Sequence, residues 1–203
     1  RDPGPFKEAI ERTLALYRKW QKDIPSMKVL DVGGGLGMNY QSGDLEEDHR
    51  LIEDYAKTLR AQLDPWLKDG RLDSVLLEPG RCVVARFGRL FSQVEYVKRT
   101  ADKNFLVVNT GMHHLMRPML YQAFHRIECV GRPFSPKSEV FDVVGPICES
   151  SDTLGRDRMM PSDVKEGDWV VIHDAGAYGS VMKNNYNLQL EPVEIGVRGG
   201  QIL

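Results

Sequence analysis

A chain of 203 residues, 41% hydrophobic and 28% charged, carries enough apolar material for a buried core, which excludes general disorder and fits one large domain or two small ones. A formal net charge of −2, with the basic residues dispersed, excludes nucleic acid as an expected partner and leaves a small polar metabolite. Three cysteines without a CxxC pair, Cys82, Cys129 and Cys148, argue against a disulfide framework or structural zinc and point to a reducing cytoplasm. No apolar run reaches the ~18 residues that cross a bilayer, and the opening Arg1-Asp2-Pro3-Gly4 lacks the order of a signal peptide, so a soluble protein with no membrane partner is expected.

Phe6, Ile10, Leu14, Tyr17 and Trp20 recur at helical spacing, and Pro25 closes the segment, which predicts a helix from Pro5 to about Lys22. Val29-Leu30-Asp31-Val32 predicts a short strand ending in Gly33-Gly34-Gly35. Leu51, Ile52, Tyr55, Leu59 and Leu63 mark a second amphipathic helix, and Ser74-Val75-Leu76-Leu77-Glu78 repeats the strand signal before Pro79-Gly80. Helix, strand, helix, strand is the rhythm of βα units with a parallel sheet. After Ala85 the pattern turns to strands: Val94 to Val97, Phe105 to Asn109, Val140 to Val144, Trp169 to Ile172 and Val193 to Val197. The boundary is read near Ser92, giving an α/β region over residues 1–92 and an all-β region over 93–203. Two barrel-type strands cannot close an eight-stranded barrel, which takes ~250 residues, so if the first region belongs to one, the chain is a fragment.

Gly33-Gly34-Gly35-Leu36-Gly37 follows a strand directly, where missing side chains let backbone N–H groups approach an anionic oxygen. The run fits a phosphate cradle and also an ordinary tight turn. A dinucleotide fingerprint would need glycine where Met38 stands. The loop of the nucleotide-methionine methyltransferases fits Asp31 to Gly37, but it calls for an alternating open sheet where this chain turns all-β. His113-His114 suggests a metal, yet adjacent residues point to opposite sides of a strand and no carboxylate or cysteine stands at ligand spacing, so no metal site is expected.

The glycine run followed by Glu78-Pro79-Gly80-Arg81 resembles the alanine-racemase-like class of pyridoxal-phosphate enzymes. Three later blocks narrow the resemblance to the diaminopimelate decarboxylase family. They are Gly111-Met112 through Arg117-Pro118-Met119-Leu120-Tyr121, then Gly145 to Asp152 with Cys148-Glu149-Ser150 inside it, then Asp174 to Gly179 with Asn185-Tyr186-Asn187. The resemblance covers roughly residues 29 to 187, with the blocks in the family's order. It implies the C-terminal part of a (β/α)8 barrel followed by a β-sandwich or β-barrel domain. It also implies that the Schiff-base lysine and the histidine that stacks on the cofactor lie outside this chain, since neither Lys28 nor Lys98 occupies that motif, and that the chain ends before the family's C-terminal tail.

What the resemblance implies for the site is specific. Gly35, Gly80 and Arg81 would hold the phosphate of pyridoxal 5'-phosphate, and Glu78 would pair with its ring nitrogen. Arg81, Arg117 and Tyr121 would hold a substrate carboxylate remote from the bond being broken, and Glu149 the ammonium group at that far end. Cys148 would donate a proton to the substrate, reaching the partner's cofactor in a homodimer, and Tyr178 would bind cofactor or substrate. The plain alternatives are a surface Glu78 and a surface helical pair of Arg117 with Tyr121. Cys82 and Cys129, without such surroundings, read as buried small hydrophobes. The sequence departs from the family where His113-His114 replace Asn-Asp and Asn109-Thr110 replace Asp-Ala. The expected activity is decarboxylation of meso-diaminopimelate to L-lysine. The competitors are a related decarboxylase for carboxynorspermidine, arginine or a carrier-bound amino acid, and a non-catalytic regulator on the same fold.

Overall fold

The computed structural model describes residues 4–132 and 136–203. The first three residues, on which part of the signal-peptide reading rests, lie outside them. The chain divides into two compact units, Arg1–Val84 and Ala85–Leu203. The division falls before the expected boundary, because Ser92 lies inside a strand, β3 (Leu90–Arg99), and not at its edge.

In the first unit, α1 (Gly4–Trp20) and α2 (Leu45–Lys68) pack beside a parallel pair, β1 (Val29–Asp31) and β2 (Ser74–Leu76). Asp44 starts α2 by accepting a hydrogen bond from the Glu46 N–H at 2.9 Å, and Glu46, Glu47 and Asp48 place negative charge on the helix's positive end. The core joins Ile10, Leu14 and Tyr17 of α1 to Leu59, Leu63 and Trp66 of α2, with Leu30 and Leu72. Trp20, expected on the same face as Tyr17, is 53% exposed, because α1 ends there and the chain turns away at Gln21. On β1 only Leu30 is buried, while Val29 and Asp31 on its other face are exposed. That leaves one face of the strand pair uncovered within this unit.

In the second unit the strands β3, β4 (Asn104–Val108), β5 (Ile127–Cys129), β6 (Ser138–Val144), β7 (Thr153–Pro161) and β8 (Trp169–Ile172) form one sheet in the order β5-β8-β3-β4-β6-β7. All pairs are antiparallel except β4 with β6. The end strands β5 and β7 meet, so the sheet nearly closes around Leu106, Val108, Phe141, Val143, Leu154, Met160 and Ile172. Closure is made possible by β3, which pairs with β8 through Gln93 and with β4 from Val94 onward, across a bulge that bends it.

Several expectations change here. Val193 to Val197 is not a strand: Val193 and Ile195 are exposed, and only Val197–Arg198 (β9) pairs, with Gln201–Ile202 (β10), around Gly199-Gly200 in left-handed conformation. β5 and β7 were not anticipated. β7 reads Thr-Leu-Gly-Arg-Asp-Arg-Met-Met-Pro, a charged and glycine-containing run, and at its bulge Asp157 adopts φ 52° while its N–H donates to Asp142 at 2.9 Å. His113 and His114 sit on a turn rather than a strand, so their rings lie side by side with centroids 3.8 Å apart. Among the described residues no helix is long and apolar enough to cross a membrane.

Candidate active site

Because β1 and β2 run parallel and in register, Asp31 opposite Leu76, the glycine run and the Glu78-Pro79-Gly80-Arg81 loop leave the sheet at the same end. Backbone hydrogen bonds then tie the loops together. Val32 N–H donates to Leu76 at 3.1 Å, and Glu78 N–H donates to the Gly33 carbonyl at 2.9 Å. The Asp31 carboxylate accepts from the Gly33 N–H at 2.8 Å, which holds Gly33 at φ 71°. Gly34 has no room for a side chain: a β-carbon there would lie 2.9 Å from the Glu78 carbonyl carbon and overlap its oxygen. Gly35 also has positive φ, at 92°, and a β-carbon on Gly37 would meet the Arg81 guanidinium at 3.4 Å. Arg81 therefore reaches back to the glycine run from the first position of α3 (Arg81–Val84). Gly80 faces open space, Glu78 is exposed, and under the loops lies an apolar cavity of about 250 Å³ lined by Leu36, Tyr55, Leu59, Leu77 and Cys82. Cys82 is thus half-buried against a cavity rather than in the core.

Lys28 precedes β1, at the end of the strand away from the glycine run, and its Nζ donates to the Gly70 carbonyl. Lys98 belongs to the second unit and lies over the Phe105 ring at 5.9 Å.

In the second unit, Arg117 opens α4 (Arg117–Tyr121) and is only 5% exposed, which removes the surface-pair reading of Arg117 with Tyr121; Tyr121, at the far end of the helix, is exposed. Arg117 Nη1 lies 2.9 Å from His125 Nε2, and its guanidinium carbon is 5.9 Å from the Tyr178 ring centre. Tyr178 itself has φ 67° and stands at the start of α5 (Gly179–Met182). Its loop is fixed from below: the buried Asp174 pairs with Arg86 at 3.1 Å, and the Ala175 and Gly176 N–H groups donate to the Gly88 and Ala85 carbonyls. Arg117 and Tyr178 are thus brought together.

Cys148 and Glu149 are exposed on the loop after β6. The loop is held by Asp152, a buried carboxylate that accepts from the Met112 N–H at 2.6 Å through Oδ1 and from the Ile147 N–H at 2.8 Å through Oδ2. It presses close enough on Gly111 that a β-carbon there would lie 2.5 Å from either carboxylate oxygen. Burial raises the Asp152 pKa, and the two N–H groups offset part of that rise by stabilising the anion. Asp152 stood inside the recognised motif without a role; its signal was an acid three residues past an exposed Glu between two glycine-bearing turns. His125 and the Arg86–Asp174 pair carried no local signal, since their partners are distant in sequence.

Two departures from the family pattern account for each other. The Thr110 hydroxyl lies 2.8 Å from His114 Nδ1, while His114 Nε2 lies 2.8 Å from the Leu190 carbonyl. The assignment that satisfies all three has Nε2–H donating to Leu190 and Nδ1 accepting from Thr110. Asn109 keeps the acceptor an aspartate would supply, its Oδ1 accepting from Ser92 Oγ at 2.7 Å and Gln93 N–H at 2.9 Å. Among the described residues no group of three His, Cys, Asp or Glu side chains is placed to hold a metal.

The donor set of the first unit fits a phosphorylated aromatic cofactor: glycine backbone in left-handed conformation, a guanidinium over it, an open Gly80, and a carboxylate on the adjoining loop able to face a protonated ring nitrogen. The chain belongs to the pyridoxal-dependent decarboxylases, its residues 28–176 matching that family's C-terminal sheet domain. Within the family its similarity is to diaminopimelate decarboxylases. It is 40% identical over 197 residues to that of Pseudomonas fluorescens, covering 97% of this chain and 44% of the relative, and 35% identical over 201 residues to that of Aquifex aeolicus, covering 99% and 46%. The solved diaminopimelate decarboxylase of M. jannaschii in co-complex with L-lysine superposes with a TM-score of 0.82 at 30% identity, covering 99% of this chain and 45% of that one. The Helicobacter pylori enzyme complexed with L-lysine gives 0.78 at 33%, covering 96% and 46%. The chain spans less than half the length of the relatives it matches.

Proposed function

We propose that the complete protein decarboxylates meso-diaminopimelate to L-lysine with pyridoxal 5'-phosphate, and that this chain supplies the phosphate loops and the substrate-selecting side chains. β1 and β2 are read as late strands of a (β/α)8 barrel whose earlier strands bring the cofactor-bearing lysine and would cover the open face of the pair. The observation that carries the reading is the buried Arg117, a cation turned away from solvent with Nη1 2.9 Å from His125 Nε2 and its guanidinium carbon 5.9 Å from the Tyr178 ring centre.

Gly35, Gly80 and Arg81 would hold the cofactor phosphate, and Glu78 would keep a proton on its ring nitrogen. When bound, the cofactor supplies an electron sink for the bond that releases carbon dioxide. Arg81, Arg117 and Tyr121 hold the remote carboxylate, the guanidinium forks by paired hydrogen bonds and the phenol by a single one. Glu149 accepts the remote ammonium group and so excludes substrates that would leave it unpaired. Cys148 Sγ gives its proton to the substrate carbon, and Tyr178 packs on cofactor or substrate. Both Cys148 and Glu149 are exposed on their own unit, which suits delivery into the site of a second subunit in a homodimer. A cytoplasmic setting agrees with the three unpaired cysteines.

Steady-state kinetics of the complete protein test these roles. Cys148→Ala is expected to lower kcat by at least about a hundredfold with KM little changed, and Glu149→Gln to raise KM by about tenfold or more. Full turnover by the first variant would remove the donor role, and an unchanged KM in the second would remove the selector role.

A further inference from the structure

On the reading above Arg117 holds a carboxylate, but a long side chain has many orientations, and something must choose one. His125 lies between β5 and α4, fully buried, with both ring nitrogens engaged. Nδ1 is 2.9 Å from the His173 carbonyl, and Nε2 is 2.9 Å from Arg117 Nη1. A carbonyl only accepts, so Nδ1 carries the hydrogen; a guanidinium only donates, so Nε2 presents its lone pair. The two contacts together specify one tautomer of a neutral ring. His173 is fixed in turn, its ring nitrogens 3.1 Å from Arg126 Nη2 and 3.2 Å from Glu128 Oε2, and its N–H donates to the Arg126 carbonyl. The chain of contacts therefore runs from the paired strands β5 and β8 to the guanidinium.

We propose that His125 is a positioning residue for substrate recognition: by accepting from Nη1 it fixes the direction in which the Arg117 guanidinium is presented to the substrate's remote carboxylate. The inference rests on the reading of Arg117 given above. A neutral acceptor suits this task better than a carboxylate would, because an aspartate or glutamate at that place would neutralise the cation and compete with the substrate anion.

The test uses the complete enzyme with its cofactor and compares His125→Asn, His125→Gln and Arg117→Lys. Asparagine can keep the donor toward His173 but is too short to reach Arg117, whereas the glutamine oxygen stands near the place of Nε2. His125→Asn is expected to raise KM for meso-diaminopimelate by about tenfold or more, with kcat within about threefold and the melting temperature within a few degrees of wild type. His125→Gln is expected to restore most of the loss. Equal KM values for the Asn variant and wild type, or equal losses in the Asn and Gln variants, would overturn the inference while Arg117→Lys still raises KM. If Arg117→Lys leaves KM unchanged, it is the carboxylate reading of Arg117 that fails.

Discussion

Gly34 offers the sharpest test of how the two loops that leave β1 and β2 are built. A β-carbon at Gly34 would lie 2.9 Å from the Glu78 carbonyl carbon and overlap its oxygen, and both belong to backbone that cannot rotate away. Ordinary contact needs ~3.5 Å, so Gly34→Ala has to part the two loops by more than about 1 Å, which breaks the 2.9 Å hydrogen bond from Glu78 N–H to Gly33. A forced backbone shift costs about 1–3 kcal/mol and the lost hydrogen bond about 1 more, giving roughly 2–4 kcal/mol. Gly80 is the internal control, since a β-carbon there meets nothing within 4 Å. Gly80→Ala should leave stability within ~0.5 kcal/mol of wild type while weakening pyridoxal phosphate binding about tenfold, if its backbone faces the phosphate. Urea unfolding of the complete protein gives the first quantity, and titration of the cofactor's visible absorbance gives the second. A Gly34→Ala protein as stable as wild type, or a Gly80→Ala protein that loses more stability than Gly34→Ala, would refute the reasoning.

Two further outcomes follow from buried groups in the second unit. Asp152→Asn replaces one of two acceptor oxygens with a donor, leaving either the Met112 or the Ile147 N–H facing an NH2 group; about 1–3 kcal/mol of stability should be lost, with kcat reduced through the Cys148 loop and cofactor affinity unchanged. Burial lowers the His125 pKa from 6.5 to about 4, so the folded protein holds the ring neutral where the unfolded chain would protonate it. The unfolded state binds more protons in that window, so the stability is complete above 6.5 and is lost as pH falls toward 4, roughly 3 kcal/mol in all. Urea midpoints at about pH 7 and about pH 4.5 should therefore differ less in His125→Gln than in wild type, and an equal loss in both would contradict the assignment.

The first unit was legible because its signals are local: periodicity gave α1 and α2, and each short strand ends in a loop whose glycines and proline mark it. β3, β4, β6 and β8 were legible for the same reason, being rich in Val, Ile, Phe and Trp. β7 was not, because Arg156-Asp157-Arg158 carries no strand preference and pairing with β6, through a bulge capped by Asp142, holds it extended. Val193 to Gly196 failed in the opposite sense: branched residues alternating with no sheet edge beside them remain coil, and only Val197 pairs, in the short β9. At the site, motif order named Glu78, Arg81, Arg117, Cys148 and Glu149, while the side chains that hold them in place had to be found in space. Asp152 gathers turns around residues 111 and 147, and His125 joins α4 to β8, links that no window of sequence contains.

We propose above that this chain supplies the phosphate-binding and substrate-selecting part of a protein that decarboxylates meso-diaminopimelate. The complete polypeptide, supplied with pyridoxal phosphate and offered meso-diaminopimelate, arginine, ornithine and carboxynorspermidine in parallel, tests it most directly. The account predicts stoichiometric carbon dioxide and L-lysine from meso-diaminopimelate, with the other three turned over far more slowly. Release of carbon dioxide chiefly from one of those three, or from none of the four, would contradict it.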